Sequence, residues 1–439
     1  MSFFSKKLDL SRTTRNAIFN YGGVIWRAAL SILLIPFYVH HLAPHEWGLV
    51  AICIAVQGFL TLLDAGLSQI IPRDIARASA DKDGVARQFA IFSRAYFLLA
   101  AAAFCVGQLA VPWLATHWLK LTDGAPEESY ASLRLAFLMF FFQFWNTVHI
   151  GYWNGMQEQH LANIRQVVFA TAKHGAAASL VLFWSPTAQA YLIGFTVLTA
   201  MEWVANRTTI RRHLSGSGAK ATLADLMKLT HETGILSVGV LLGLLVSQID
   251  RFILSSMVSV SDYGRYIAVA NLGLAFFQFQ GPLLAAFYPR LSVELPVGET
   301  RSLRHLSIGV ALLNVLPCLI AALTAPFFLN LWIHDATIVA VGTLPLQLIF
   351  LAIAVNSVYQ IFYQQILVHG QGAYVIWTNA ANIILVGSFV LLATPHMGIV
   401  AGGWGWLLGA SIQLLAGVLW TTFFKARCSK LDSQINRSI

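Results

Sequence analysis

Residues 46–73 read EWGLVAICIAVQGFLTLLDAGLSQIIPR, and residues 262–290 read DYGRYIAVANLGLAFFQFQGPLLAAFYPR. In both stretches the second and third residues are an aromatic residue and glycine, an apolar run follows, and the last two residues are Pro-Arg. The separation between Gly48 and Gly264 nearly equals the separation between the two Pro-Arg pairs. Because each run is long enough to cross the hydrocarbon core of a bilayer as a helix, the pair predicts a membrane protein with an internal repeat.

Two further landmarks follow nearly the same spacing. Trp118 corresponds to Trp332, and Gln157 corresponds to Gln371, with equal separations in the two pairs. These landmarks indicate two halves of similar design with six helical spans each. An even number of spans returns the chain to the same side of the membrane, so the halves are predicted to be parallel repeats. In such proteins the cargo site lies between the halves, near mid-membrane.

The composition predicts a polytopic membrane protein. Of 439 residues, 57% are hydrophobic and only 11% are charged, and the mean hydropathy is +0.67. Soluble proteins carry about 25% charged residues. The predicted fold is an all-α polytopic bundle of twelve transmembrane helices in two six-helix lobes. The expected spans are 14–40, 46–71, 88–113, 130–154, 161–184, 187–210, 231–257, 264–289, 304–329, 338–367, 373–394 and 399–424. No short apolar region with a cleavage site precedes the first span, so no cleavable signal peptide is expected.

The longest polar break, residues 212–230, divides the chain. It predicts an N-terminal lobe at 1–211, a cytoplasmic linker at 212–230 and a C-terminal lobe at 231–439 that ends in a short cytoplasmic tail. Most of the 28 Lys and Arg residues fall on loops and tails of one side, which predicts cytoplasmic termini by the positive-inside rule. The four cysteines show neither disulfide nor metal-ligand spacing.

Four basic side chains lie inside apolar spans, namely Arg27, Arg94, Lys173 and Arg251. A charge at mid-bilayer costs about 3 kcal/mol or more, and such residues usually face a bundle interior or a wet cavity. No acid is clearly level with Arg27 or Lys173, so these two cations are expected to suit a phosphate group. We predict that the four residues form a cationic substrate-binding cavity. The alternatives are internal ion pairs and, for Arg94 near the cytoplasmic end, snorkelling to the interface.

Helical spacing places other polar residues on the faces of these charges. Residues three, four or seven apart share one side of a helix, and such stripes are predicted to line a common cavity. The stripes are Asn20, Arg27, Ser31 and Tyr38 in the first span, Gln57, Thr61, Asp64 and Ser68 in the second, and Thr233, Ser237, Ser247 and Arg251 in the seventh. Asp250 points about 100° away from Arg251 and is not expected to be its partner. Each isolated hydroxyl is also explained by a hydrogen bond to its own helical turn.

Amide side chains accompany aromatic rings in the second half of the chain. Asn271 and Gln278 share a face of the eighth span, and the tenth span carries Asn356 and Gln360. We predict that these four amides contribute to the polar lining of the cavity, since amides beside flat rings suit hydroxyl-rich cargo such as sugars. The alternative is helix packing held by amide hydrogen bonds.

The segment IPFYVHHLAPHEWGLVAICIAVQGFLTLLDAGLSQIIPRDIAR, residues 35–77, resembles the opening of bacterial polysaccharide flippases of the O-antigen (Wzx) type. These belong to the multidrug/oligosaccharidyl-lipid/polysaccharide exporter superfamily, which also holds the lipid II flippase and the MATE drug exporters. Further points of resemblance are Gln-Ile-Asp-Arg at 248–251 and the repeated aromatic-glycine and Pro-Arg landmarks. The resemblance covers nearly the whole chain and implies a MATE-like fold.

The resemblance implies a transporter rather than an enzyme. It would move undecaprenyl-pyrophosphate-linked oligosaccharide across the bacterial cytoplasmic (inner) membrane by alternating access, for O-antigen or other surface polysaccharide assembly. The expected partners are that lipid-linked glycan, the membrane lipids, and a polysaccharide polymerase with its chain-length regulator. No nucleic acid, metal or cofactor is expected. Related flippases line a cationic cavity with spans one, two, seven and eight, which fits Arg27 and Arg251 better than Arg94 and Lys173.

Ion coupling is also implied by the resemblance. Some relatives bind sodium through spans seven and eleven, which makes Asp250, Asn379 and Asn382 candidates for sodium or proton coupling. Two other functions stay open. A multidrug or cation antiporter of the same fold would have a cavity dominated by acids. An integral-membrane glycan polymerase would carry larger outer loops than this chain has.

Overall fold

The computed structural model describes residues 12–438 except 65, 121–126, 217–221, 223, 228, 230–240 and 279. Side chains are described from Gly22 to Phe423, except at those gaps and at 128, 282, 285, 286 and 289. Within these residues the regular structure is helical, and the only extended pairing is a single bridge between Lys120 and Ser259. The prediction of an all-α protein is therefore confirmed.

Eight described helices are long and apolar enough to cross a membrane, so this is a multi-pass membrane protein. They are Gly22–His41, Pro44–Asp64, Lys82–Trp118, Gln159–Phe183, Arg301–Leu323, Ala336–Val368, Gly372–Met397 and Val400–Phe423. The arrangement of twelve spans in two repeated lobes stays a prediction. The predicted seventh span includes residues 231–240, so Thr233 and Ser237 lie outside the described residues.

Contacts divide the chain into two compact units. The first contains Met1–Ala43, Val56–Ala115 and Ala125–Ser237, and the second contains Pro44–Ala55, Thr116–Gly124 and Val238–Ile439. The predicted lobes at 1–211 and 231–439 with a linker at 212–230 stay a prediction. The helices of the first unit are α1 (Arg12–His41), the end of α2 (Pro44–Leu60), α3 (Leu67–Ala78), α4 (Lys82–Trp113), α5 (Glu128–Gly155), α6 (Gln159–Phe183) and α7 (Ala188–His213).

Helix α5 is central to the first unit, because it packs against α3, α4 and α7. Large side chains such as Phe92, Phe140 and Trp153 are buried there. Glycine allows α3 to approach α5 closely, since a Cβ atom at Gly151 would lie 2.5 Å from Cγ2 of Ile71. This packing positions the polar residues of α5 and α7 that are described below.

The predicted second span is not one continuous helix. Helix α2 ends at Leu60, a 3₁₀ turn follows at Thr61–Asp64, and α3 starts after Gly66, which has φ of 81°. That backbone conformation favours glycine, because a Cβ atom would clash in it. The prediction that Gln57, Thr61, Asp64 and Ser68 share one helical face is therefore wrong, since the helix breaks between them.

Part of the predicted linker packs on the first unit. Lys82 Nζ donates to the Ser215 carbonyl at 2.8 Å, and Arg87 pairs with Asp225 at 2.9 Å. The backbone N–H and hydroxyl of Thr222 donate to the Asp225 carboxylate, and with Arg87 they hold the pKa of Asp225 below its ordinary value. Leu229 belongs to the same buried apolar cluster as Phe92. The described residues from Thr222 to Leu229 are thus anchored to the first unit.

The second unit is built around α14 (Ala336–Val368), which packs against α9, α12, α13 and α16. Its other helices are the start of α2, α8 (Ile249–Met257), α9 (Val260–Gln278), α10 (Gln280–Glu294), α11 (Arg301–Val310), α12 (Leu316–Leu323), α13 (Ala325–Ile333), α15 (Gly372–Met397) and α16 (Val400–Ser438).

The two repeat landmarks meet inside the second unit. Trp47 Nε1 donates to the Gly264 carbonyl at 2.9 Å. A Cβ atom on Gly264 would lie 2.8 Å from the Gly48 Cα atom, and one on Gly48 would lie 2.1 Å from the Val260 carbonyl oxygen. Both glycines are therefore needed for α2 and α9 to cross at backbone contact.

Candidate functional site

Arg27 lies on α1 where this helix packs against α6. Gly23 provides room at this crossing, because a Cβ atom there would lie 2.7 Å from Asn163 Oδ1 and 3.4 Å from Arg27 Nη1. Trp26 Nε1 donates to Thr171 Oγ1 at 2.9 Å, which fixes α1 against α6. Arg27 Nη1 is buried and makes no hydrogen bond within the described residues. The first unit thus holds a positioned guanidinium with an unfilled donor.

Lys173 has an acidic partner. Its Nζ lies 2.6 Å from Glu202 Oε2, and the two side chains are only 17% and 6% exposed. The expectation that no acid is level with Lys173 is wrong, because Glu202 on α7 faces it across the α6–α7 contact. Glu202 also acts electrostatically on Arg27. This cluster therefore contains two cations and one acid, and carries one net positive charge rather than two.

The other predicted residues of the first unit have mostly local roles. Ser31 Oγ donates to the Arg27 carbonyl at 3.1 Å, which is the expected back-bond to its own helix. Asp64 Oδ2 accepts from the Ser68 backbone N–H at 3.3 Å and from its hydroxyl at 2.7 Å, while Asp64 Oδ1 accepts from the Tyr96 hydroxyl. Asp64 therefore stabilises the first turn of α3.

Three other residues of the first unit were predicted to line the cavity or to bind substrate. Gln57 is buried, and its Nε2 makes no hydrogen bond within the described part of the chain. Arg94 is exposed on α4. The side chain of Asn20 lies outside the described residues.

A cavity of about 210 Å³ lies within the second unit. It brings together Asp250 of α8, Asn356 and Gln360 of α14, and Asn382 of α15. All four were predicted from the sequence as functional residues, although for two different roles. Asn379 is buried on α15 but does not line this cavity, nor do Asn271 and Gln278 of α9.

The polar groups of this cavity are partly paired with one another. Asp250 Oδ2 accepts from the Tyr266 hydroxyl at 2.5 Å and from Trp406 Nε1 at 3.0 Å. Asn356 Nδ2 donates to Gln413 Oε1 at 2.9 Å, and Gln360 Nε2 donates to Asn356 Oδ1 at 3.3 Å.

Asn382 has one unpaired acceptor in the same cavity. Its Nδ2 donates to the Gly409 carbonyl at 3.2 Å, while its Oδ1 is buried without a hydrogen-bond donor in the part of the chain that is described. The cavity therefore offers a carboxylate and amide oxygens to a ligand that donates hydrogen bonds or carries positive charge.

Arg251 lies apart from that cavity. It is only 7% exposed, and its Nε and Nη2 make no hydrogen bond among the described residues. Its charge acts on Tyr263 and Tyr266 of α9. Asp250, its neighbour in sequence, is bonded to Tyr266 and Trp406 instead, as the helical spacing suggested. The sharing of one cavity by Arg27, Arg94, Lys173 and Arg251 stays a prediction.

The sequence pattern of the polysaccharide biosynthesis protein family matches residues 13–293, which is more than half of the chain. The chain belongs to this family. A Shigella flexneri protein assigned as an O-antigen transporter is 21% identical over 333 residues, covering 73% of this chain and 77% of its own length. The resemblance that was drawn from the sequence is thereby confirmed.

Solved structures show the same fold for this polysaccharide biosynthesis protein. The lipid II flippase MurJ in an inward closed conformation matches with a TM-score of 0.75 and 10% identity, over 93% of this chain and 87% of its own. An inward-facing MATE multidrug transporter of the MOP superfamily matches with a TM-score of 0.70 and 14% identity, over 92% and 96%. At these identities the likeness establishes the fold alone, which is MATE-like.

Sequence reasoning missed three residues of the cavity region in this polysaccharide biosynthesis protein. Tyr266 and Trp406 hold Asp250, and Gln413 pairs with Asn356. A signal for the last two was present in the run GGWGWLLGASIQ at 402–413. Its glycines allow neighbouring helices to pack closely on α16, since a Cβ atom at Gly402 would lie 2.6 Å from the Tyr266 ring and one at Gly409 would lie 3.0 Å from Asn382 Oδ1.

Proposed function

We propose that this chain is a flippase that moves undecaprenyl-pyrophosphate-linked oligosaccharide from the cytoplasmic to the periplasmic leaflet of the inner membrane by alternating access. It would serve O-antigen or other surface polysaccharide assembly, beside a polymerase and a chain-length regulator. The family, the Shigella flexneri relative and the fold shared with a lipid II flippase support this proposal.

The observation that carries the proposal is the environment of Arg27. A guanidinium in a membrane-spanning helix is costly, and it persists where it has a partner or a wet cavity. Glu202 is already paired with Lys173 at 2.6 Å, and Arg27 Nη1 has no acceptor among the described residues. A pyrophosphate would supply both the missing acceptor and the missing negative charge, since guanidinium and phosphate form charge-assisted hydrogen bonds.

The second unit would contribute polar contacts. The amides Asn356, Gln360 and Gln413 could exchange their mutual hydrogen bonds for bonds to sugar hydroxyls at little net cost. Asp250 and the unpaired Asn382 Oδ1 are the groups that would serve sodium or proton coupling. Asn379 is a weaker candidate for this role because it lies outside the cavity lining.

The test is complementation of a deletion strain. Deletion should cause a complete lipid-linked repeat unit to accumulate on the cytoplasmic side, and wild-type protein should clear it. A deletion strain that expresses Arg27→Ala should still accumulate the lipid-linked repeat unit. Loss of charge-assisted hydrogen bonds weakens binding of the pyrophosphate by about tenfold or more. Arg27→Lys should restore part of the activity.

The matched control is Arg134→Ala, which removes a guanidinium that is exposed on α5. It should behave as wild type. Full glycan display by Arg27→Ala at the wild-type protein level would overturn the role of Arg27. Accumulation of single units on the outer face after deletion would instead indicate a polymerase.

A multidrug or cation antiporter is the second candidate, and one observation favours it. Asp250 is the only carboxylate among the described residues that line the cavity of the second unit, and the other lining residues are apolar or neutral. Such a site suits an organic cation. Restored resistance of a drug-sensitive strain, lost in Asp250→Asn and retained in Arg27→Ala, would favour this alternative.

A further inference from the structure

Arg207, near the C-terminal end of α7, packs against two adjoining indole rings. Its guanidinium carbon is 5.1 Å from the ring centroid of Trp145 and 5.1 Å from that of Trp203. The two indoles are themselves in contact, with centroids 4.6 Å apart. Trp145 is fixed by a 3.1 Å hydrogen bond from its Nε1 to Ser93 Oγ. Phe97 packs on Trp145 with the two ring centroids 4.8 Å apart. The guanidinium is thus held by rigid groups from α4, α5 and α7.

The hydrogen-bond donors of Arg207 are not used by the described part of the chain. Its contacts there are those two aromatic faces, and it has neither a carbonyl nor a carboxylate acceptor among the described residues. By contrast, Arg165 on α6 donates to the Ala205 carbonyl, to Asn206 Oδ1 and to Thr209 Oγ1 at 2.9–3.2 Å. An arginine with a structural role in this unit therefore has its donors filled, whereas Arg207 has them free for a ligand.

The charge around Arg207 is also uncompensated. The charged group that acts on it among the described residues is Arg211, four residues later on the same face of α7. Two neighbouring guanidinium groups without an acid repel each other, so a counter-anion from outside the chain would stabilise both. Trp203 Nε1 is a further buried donor that has no partner in the described part of the structure.

The position along the helix identifies the anion. Arg207 lies six residues before the end of α7 at His213, which corresponds to about 9 Å along a helix axis. Nearby side chains of α7, Met201 and Val204, are 53% and 48% exposed, as expected for a surface that faces lipid. The sequence predicts that α7 ends at the cytoplasmic interface of the membrane, where the abundant anion is the phosphate of a lipid head group. Arginine can bind phosphate with two parallel hydrogen bonds, and tryptophan is favoured at the membrane interface.

We infer that Arg207, packed against the adjoining rings of Trp145 and Trp203 and supported by Arg211, forms a binding site for the head-group phosphate of an anionic phospholipid of the cytoplasmic leaflet. This site lies on different residues from the proposed substrate contact at Arg27. It assigns a regulatory or anchoring lipid to the first unit and does not depend on the identity of the transported cargo.

The experiment measures binding of dioleoylphosphatidylglycerol to the purified full-length protein in detergent by native mass spectrometry, with dioleoylphosphatidylcholine for comparison. Wild type should bind the anionic lipid preferentially. Arg207→Ala should weaken that binding by about tenfold, the usual effect of removing a charged hydrogen-bond donor. Arg207→Lys keeps the charge but cannot form the two parallel bonds, so it should also bind more weakly than wild type.

The matched control is Arg212→Ala, which removes the same charge from the same helix end. Arg212 is five residues from Arg207, so it points to a different face. Equal loss in Arg207→Ala and Arg212→Ala would overturn the proposal, because it would indicate non-specific surface charge. Wild-type binding by Arg207→Ala would overturn it as well.

A competition experiment distinguishes a lipid head group from free phosphate as the ligand of this site. Millimolar inorganic phosphate should leave the bound phosphatidylglycerol in place, because the acyl chains contribute to its binding. Complete displacement would overturn the assignment to a lipid. Unchanged lipid binding by Arg27→Ala is expected whether or not Arg27 serves transport, which separates this site from the proposed function.

Discussion

Glu202→Gln should destabilise the first unit, because it leaves the Lys173 ammonium group without its counter-charge. Lys173 Nζ and Glu202 Oε2 are 2.6 Å apart, with side chains 17% and 6% exposed. Two unit charges at that separation attract by roughly 6 kcal/mol at an effective dielectric constant of about 20. Desolvation of both groups offsets part of this attraction, so removal of one partner is expected to cost about 3 kcal/mol in the free energy of unfolding.

The assay is unfolding of the purified protein in dodecyl maltoside micelles by increasing amounts of SDS. The double variant Lys173→Met with Glu202→Gln should recover about 2 kcal/mol of the loss, since it leaves no uncompensated charge. An unfolding free energy for Glu202→Gln within about 0.5 kcal/mol of wild type would refute the structural role of this ion pair. Lys173 would then be free to contact cargo, as the sequence suggested.

Tyr266→Phe should lower stability by about 1–2 kcal/mol, because Asp250 loses its 2.5 Å hydroxyl donor; an unchanged thermal midpoint in detergent would contradict this. Gly264→Val should cost about 1–3 kcal/mol by overpacking, since its Cβ atom would lie 2.8 Å from a Cα atom of α2. Gly281→Val is the control, with no atom within 4 Å of the added Cβ, and equal thermal midpoints for the two variants would refute the packing argument. The lowered pKa of Asp225 means that its hydrogen bonds stabilise the anchored linker segment above about pH 4 and that this contribution is lost as pH falls through the lowered pKa. Hydrogen–deuterium exchange of the linker from pH 7 to pH 3, corrected for intrinsic rates, should show that loss in wild type and not in Asp225→Asn.

Residues on one continuous helix could be grouped correctly from their spacing. Asn356 and Gln360 are one turn apart on α14, and both line the cavity of the second unit. The same reasoning failed for the polar set of the predicted second span, because the helix breaks at Gly66, between Asp64 and Ser68. Glycine at position 66 was the local signal of that break, since its φ of 81° is a conformation that other residues rarely adopt.

The likeness of residues 46–73 to residues 262–290 was visible in the sequence, whereas the contact between these two segments was not. Spacing relates Gly48 to Gly264 but gives no distance between them. The structure places their backbones in contact within the second unit, with Trp47 bonded to the Gly264 carbonyl. Gly48 and Gly264 are therefore explained by the close crossing of α2 and α9.

The sequence by itself determined the membrane environment, the helical class and the family, because the hydrophobic length of each span and the order of short motifs are local properties of the chain. Only the tertiary structure decided which charges are paired. Lys173 on α6 meets Glu202 on α7, while Arg27 and Arg207 keep donors without acceptors among the described residues. Pairing depends on which faces of separate helices meet, and that is set by packing between helices rather than by the periodicity of any one of them.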